Sequence, residues 1–458
     1  MEQFDVIVVG ARCAGSPLAA LLARRGVRVV VVEQATFPRD TLSTHNFQAQ
    51  ALAFLERLGV MEQIRATGAP LVGHFDVRQE ALQYVIPIPQ RPGDVGGCAS
   101  VRRTLLDPIL VQAAEEAGAE VRMASKVTGL LYNSGRVAGV QVAQNGSQTN
   151  LRARLVVGAD GRNSTIANLV GARKYNLTPN ERISYWSFFE DADPGPDPAF
   201  VQHRWDERLV FATPADSGLY QAGVIADLGE LPRFRADLEG SLMEYIRSCE
   251  PVAQALRNAR RVGKIFGMLR WEGFFREATG PGWVLAGDAG HFKDPTPGQG
   301  IQDAFRQVDA LAPAIAGALD GSREDLDRAL ADWAHWRDRD AAAHYWLATD
   351  MGKAGAIPTV FPEMQRRLLA QGKIGMVIDL FTHRSYPSQV ITPPRLLGAT
   401  GRLLLRPGCD RRKLLREVGA LISADVRRKR LNRRPAYAAA AACTDAGPTE
   451  VQETARSR

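Results

Sequence analysis

The chain has 458 residues, 45% of them hydrophobic and 23% charged, with a formal net charge of +7. That balance describes an ordinary soluble protein of two to four domains and excludes a fibrous or wholly disordered chain. Five scattered cysteines, Cys13, Cys98, Cys249, Cys409 and Cys443, form no CxxC pair, which argues against a disulfide framework or a zinc site and for a reducing compartment.

The opening, MEQFDVIVVG, is an apolar strand with no basic segment before it, so no signal peptide is expected. Ala14, Leu18, Leu21 and Leu22 then recur at helical spacing, Gly26 closes that helix, and GVRVVVVE is a second buried strand. Together they make a βαβ opening. HFDVRQEALQYVIPIP at 74–89 reads as a hairpin, and a helix begins near Thr104. Strand-like runs follow over 119–143, and ARLVVGADG is a further buried strand. Residues 176–230 are aromatic-rich runs separated by Pro, Gly and Asp, the pattern of an antiparallel sheet. The segment 324–433 is mainly helical, with breaks expected at Pro358, Pro362, Pro387 and Pro393-Pro394.

The charge is concentrated. Between Arg402 and Arg434 there are twelve Lys/Arg and three Asp/Glu, an excess of +9, so the rest of the chain carries about −2 (7 − 9). Such a run suits nucleic acid or anionic lipid in principle. It is read here as a solvated helix face, with no nucleic-acid partner expected. The tail 435–458 is read as disordered. No apolar run reaches the ~18 residues that span a bilayer. A cytoplasmic protein without a membrane span is therefore expected.

The first strand ends in VVVGARCAGSPLA. Gly10 and Gly15 hold the first and third positions of G-x-G-x-x-G, with Arg12 at the second. Gly10 permits the turn, Gly15 lets the helix pack close, and the helix N-terminus, through Arg12, Cys13 and Ala14, offers N–H groups to a pyrophosphate. Glu33, followed by Gln34, closes the second strand and is placed to accept from a ribose diol. A carboxylate there disfavours a 2′-phosphate.

Three further pieces follow: SVRRTLLD, VVGADGRNSTIANLVGA and VLAGDAGHFKDPTPGQGIQDA. With the N-terminal loop, this set resembles the group A FAD-dependent monooxygenases, the para-hydroxybenzoate hydroxylase-like fold, whose wider relatives include geranylgeranyl reductases and flavin halogenases. The resemblance runs from residue 4 to about 315 and implies an α/β (α+β overall) fold. A Rossmann-type FAD-binding domain (1–73, 96–175 and 265–350) would interleave with an antiparallel-sheet substrate domain (74–95 and 176–264). A C-terminal helical region (351–434) would follow.

The resemblance also implies roles. Asp160 and Gly161 match the DG motif of FAD and pyridine-nucleotide binding, Asp288 the acid that binds the ribityl chain, and Pro295 the loop proline beside the flavin. Gly298, Gly300, Ile301 and Gln302 match the stretch along the flavin pyrimidine edge. Arg103, with Asp107 after it, matches an FAD-contacting arginine ahead of Arg102. Thr44 and His45 sit in a loop along the cofactor, and Val127 lies where a strand contacts the adenine. Thr44, Ala167 and Gln302 replace residues commoner in the family.

The implied chemistry is reduction of FAD by NADPH or NADH, then O₂ activation as the C4a-hydroperoxide and oxygen transfer to a small molecule. The helix beginning at Ile301 would set its positive end against the flavin edge. The aromatic sheet would roof the site, with Tyr185, Trp186, Phe188, His203, Trp205, Phe211 and Tyr220 as candidates and about half of them facing inward. No dense arginine cluster marks a small-benzoate site, so a larger, less acidic aromatic or polyene substrate is expected. A reductase of the geranylgeranyl type is the alternative. A halogenase ranks lower, because no WxWxIP motif occurs and no lysine lies between Met1 and Val101.

Overall fold

A computed structural model describes residues 2–438 except Thr44. The expectations for Thr44, Cys443 and the tail beyond residue 438 lie outside the described residues.

One half of the molecule is built on a six-stranded sheet. Its spatial order is 279–280, 283–285, 155–158, 6–9, 29–32 and 120–122. Val6–Val9, Val29–Val32, Leu155–Gly158 and Trp283–Leu285 are buried at every position and run parallel. Unbroken valine runs suit a parallel sheet covered on both faces. One face carries the helices Gly15–Ala23, Arg103–Glu116 and Gly300–Ala318. The other is covered by a smaller sheet containing Lys126–Asn133, Arg136–Gln144 and Ser147–Arg152.

The other half is a seven-stranded sheet in the order 260–268, 182–190, 220–227, 208–214, 199–205, 74–79 and 82–87. Its pairs are antiparallel except one: His74–Gln79 joins Ala199–Trp205 in parallel. The expected hairpin forms, but it enters from the first half of the molecule, so no tight turn dictates its direction. The edge strand Arg260–Met268 pairs with Arg182–Glu190 as far as Ser184↔Met268, so the sheet runs past the boundary expected at 264. At the other boundary, Lys174–Pro179 belongs to a small sheet with Glu272–Arg276 and His291–Phe292.

The C-terminal region is helical, and its prolines mostly begin helices. Pro387 and Pro393 start theirs. Pro362, expected as a break, sits in the first turn of Val360–Ala370, where an absent N–H removes no intrahelical bond. Disorder expected from 435 does not hold for the first residues. The Ala436 carbonyl accepts from Asn176 N–H at 2.9 Å and Ala438 N–H donates to Lys174 at 2.9 Å. Tyr437 packs on Tyr175 with ring centroids 5.3 Å apart.

Candidate active site

The phosphate loop closes tightly. A Cβ on Gly15 would sit 1.7 Å from the Gly10 carbonyl oxygen, and one on Gly10 (φ +100°) would sit 2.5 Å from that of Ala159. Both positions therefore need glycine. Among the described residues, the backbone N–H groups of Arg12, Cys13 and Ala14 donate to no protein acceptor, as a helix start that takes an anion requires. The Arg12 side chain is not free for a phosphate. It is paired with Asp107 at 2.7 Å, and Asp107 is also paired with Arg103 at 2.7 Å. Arg102 turns the other way, to Asp216. Burial pushes the Cys13 thiol up to about 12, so it is no nucleophile at neutral pH.

Glu33 ties the loop to the second strand: its two oxygens accept from Ala11 N–H at 2.9 Å and Ala35 N–H at 2.8 Å. Each oxygen keeps a lone pair for a ribose hydroxyl. Gln34 beside it is exposed. Val127, by contrast, sends its side chain into the core between the two sheets. Asp160 caps the helix Thr165–Leu169, accepting from Ser164 Oγ at 2.5 Å and from Thr165 N–H at 2.6 Å. Gly161 follows at φ +80° with open space beside it.

Asp288 follows the buried strand Trp283–Leu285. Its half-buried carboxyl makes no hydrogen bond within the described residues. Burial lifts it to about 6, against the pull of Arg162, Arg103 and Lys293. Pro295 and Gly298 form the bend that follows, with Gly298 N–H donating to the Pro295 carbonyl at 2.8 Å. The 19-residue helix Gly300–Ala318 then starts with the N–H groups of Gly300, Ile301 and Gln302 unspent and with open space at Gly300.

Sequence reasoning missed what fixes this helix start. Gln299 Nε2 donates to the Phe381 carbonyl at 2.7 Å, and Gln302 Nε2 donates to that of Thr382 at 2.8 Å. Two side-chain amides thus staple the loop to the C-terminal helices. Behind them, Lys293 Nζ lies 2.8 Å from Asp303, and His383 approaches the same carboxylate at 3.4 Å. Burial opposes ionisation of Asp303, yet Lys293 and His383 hold it far below the usual carboxylate range. His291, next to this loop, is packed against Phe275 and Tyr345.

The roof divides by alternation. Trp186, Phe188 and Phe211 share one face with Leu209, Ile225 and Phe266. His45 joins them edge-on, 5.4 Å from the Phe188 ring. It is held at φ +61°, an uncommon conformation for a side chain of this size. Its Nδ1 accepts from Arg103 N–H at 3.2 Å, which leaves the ring proton on Nε2, where it has no partner among the described residues. Burial, then Arg103 and Arg102, depress it to about 3. Trp186 Nε1, Thr213 Oγ1 and Gln221 Nε2 on this sheet are likewise buried and unpartnered among the described residues. Tyr185, Trp205 and Tyr220 face the other way, under helices over 231–255. His203 is there too, bonded to Asp76 at 2.8 Å and to Cys249 Sγ at 3.4 Å. Those four candidates are core, not roof.

The residues present fit a flavin dinucleotide. A glycine cradle, two helix starts with free N–H groups and an unspent carboxyl are gathered at the ends of the central parallel strands, where such ligands bind.

Comparison with known proteins agrees. The FAD binding domain family matches residues 3–218. The menaquinone reductase of Mycolicibacterium smegmatis is 30% identical over 311 residues, 65% of this chain and 72% of that protein. The rifampicin monooxygenase of Rhodococcus hoagii is 28% identical over 348 residues, 68% of this chain and 64% of that one. The solved structure of the flavin-dependent brominase Bmp2 shares the fold, with a TM-score of 0.70 at 19% identity, covering 88% of this chain and all of that one.

Proposed function

The chain belongs to the FAD-binding oxidoreductases, and from that premise we propose that it is an NAD(P)H-using monooxygenase. It would hydroxylate or epoxidise a fairly large aromatic or polyene molecule, and it would work in the cytoplasm. The balance is one substrate C–H or C=C, O₂ and NAD(P)H with a proton giving the oxygenated product, water and NAD(P)⁺. Bound FAD would supply the redox chemistry.

The protein's part is binding, orientation and exclusion of water. The N–H groups at 12–14 would hold the pyrophosphate, Glu33 a ribose, and Asp288 the ribityl chain. The start of the helix Gly300–Ala318 would set its positive end against the flavin's electron-rich edge. Trp186, Phe188, Phe211 and Phe266 would exclude water above it. Neutral His45 would present Nε2–H as a fixed donor.

The single observation that supports this reading best is the buried aromatic face of Trp186, Phe188, Phe211 and Phe266, joined edge-on by His45. It suits a planar apolar substrate better than a small carboxylate. The test is reduction of the flavin by NADH and by NADPH across a substrate panel, followed by turnover in ¹⁸O₂. One labelled oxygen in the product is expected. The 30% identity to a menaquinone reductase favours a second reading, reduction of a substrate double bond. Product formation without O₂ uptake would establish that reading and remove the first.

A further inference from the structure

The flavin site leaves the basic C-terminal segment without a role. Its two helices, Pro393–Leu405 and Arg411–Arg433, form a hairpin joined by residues 406–410. The two helices pack on each other through Leu403, Leu414 and Val418, and Ala399 packs on Val360 and Met364 of the helix Val360–Ala370. Arg428 anchors the hairpin further by a bidentate pair with Asp350.

The outward side is unusual. Leu397 is 65% exposed, Leu405 86%, Leu415 56%, Ile422 50% and Val426 63%. Leu415, Ile422 and Val426 are seven and four residues apart, so they form one stripe along the helix. Arg411 and Arg412 precede the stripe by one turn, and Arg430 and Arg433 continue it after Val426. These four arginines are exposed and make no ion pair among the described residues. Aliphatic side chains framed by free guanidinium groups are what an interfacial helix lays on a bilayer. The apolar members sink among the acyl chains while the cations meet the headgroups.

We propose that this hairpin docks the protein on an anionic lipid surface. The charge is complementary: the segment carries the excess of +9 noted above, while the rest of the chain is close to neutral. Nucleic acid fits less well. A polynucleotide surface rewards an unbroken basic track with aromatic side chains for base stacking. The stripe here is aliphatic and interrupts the basic track. The proposal does not depend on which reaction the flavin performs. It does give a peripheral enzyme access to a substrate dissolved in the bilayer.

The test is co-sedimentation of the full-length protein with phosphatidylcholine vesicles and with mixed phosphatidylcholine–phosphatidylglycerol vesicles. About tenfold or greater preference for the anionic vesicles is expected, falling as salt is raised. Two variants separate the contributions: Ile422→Asp with Val426→Asp, and Arg411→Gln, Arg412→Gln, Arg430→Gln with Arg433→Gln. Each is expected to lose most vesicle binding while keeping its flavin and melting temperature. Val426→Leu is expected to keep binding. Absence of vesicle binding by the parent protein would overturn the proposal. So would binding that the aspartates leave unchanged, or duplex DNA binding stronger than vesicle binding and insensitive to them.

Discussion

The two faces of the seven-stranded sheet are made of similar residues and differ in how their polar groups are spent. On the helix-covered face Tyr185 stacks on Phe234, Phe234 packs on Tyr245, and His203 is satisfied on both ring nitrogens by Asp76 and Cys249. On the opposite face, buried Trp186, Thr213 and Gln221, with His45 against them, each keep a polar atom without a partner among the described residues. Unpartnered buried polar atoms are rare and cost about 1–3 kcal/mol each. The first face is organised for stability. The second keeps polar groups available, and His45 ties it to Arg103.

The contrast can be broken most directly at Phe234, which is 1% exposed. Phe234→Ala is expected to cost about 3–5 kcal/mol in chemical denaturation. Flavin affinity of the folded fraction should be unchanged; a loss of flavin without a loss of stability would erase the distinction between the faces. Asp288→Ala should behave oppositely, weakening FAD binding by about 2 kcal/mol in a fluorescence titration with no loss of stability, since its carboxyl has no hydrogen-bond partner among the described residues.

A pH series sharpens that expectation. A carboxyl raised from 3.8 to about 6 by burial is favoured in its protonated form, so ionising it opposes folding. The penalty is absent below the unfolded value, grows between the two values and is complete above about 6. Flavin-free Asp288→Asn should therefore gain about 1 kcal/mol over the parent above that pH, a figure discounted for partial exposure, and the gain should vanish in acid. The smallest effect is expected at Trp186. Trp186→Phe removes an N–H that has no partner among the described residues and should change stability by under about 1 kcal/mol, while altering the KM for substrate.

Much of the dinucleotide half is legible in the sequence because its signals are local. Four apolar strands, Gly10 and Gly15 at a strand–helix turn, and an acid at the end of the next strand can be read within a few dozen residues. The aromatic runs likewise predict the sheet, and alternation predicts that only half of them face the site. What alternation cannot supply is which half: that depends on which face the helices over 231–255 cover. The two glutamines are illegible for a similar reason. Gln302 looks like an anomalous replacement until Thr382, eighty residues later, is brought beside it. Arg12 looks free to meet a phosphate until Asp107 claims it. The parallel entry of His74–Gln79 and the pairing of 436–438 are also long-range contacts that no local period announces.

The strand order 283–285, 155–158, 6–9, 29–32 has a consequence for how the molecule comes into being. The strand preceding Asp288 is synthesised about 270 residues after the phosphate loop. The carbonyls that hold Gln299 and Gln302 come about eighty residues after those glutamines. The site cannot close on a nascent chain, because loop closure over such separations must await both ends. Cofactor capture would thus be a late event in biogenesis, and the valine-rich edge of the strand 155–158 must stay unpaired until 283–285 arrives. A chain cut short before residue 380 would retain the glycine loop without the means to finish the pocket it opens.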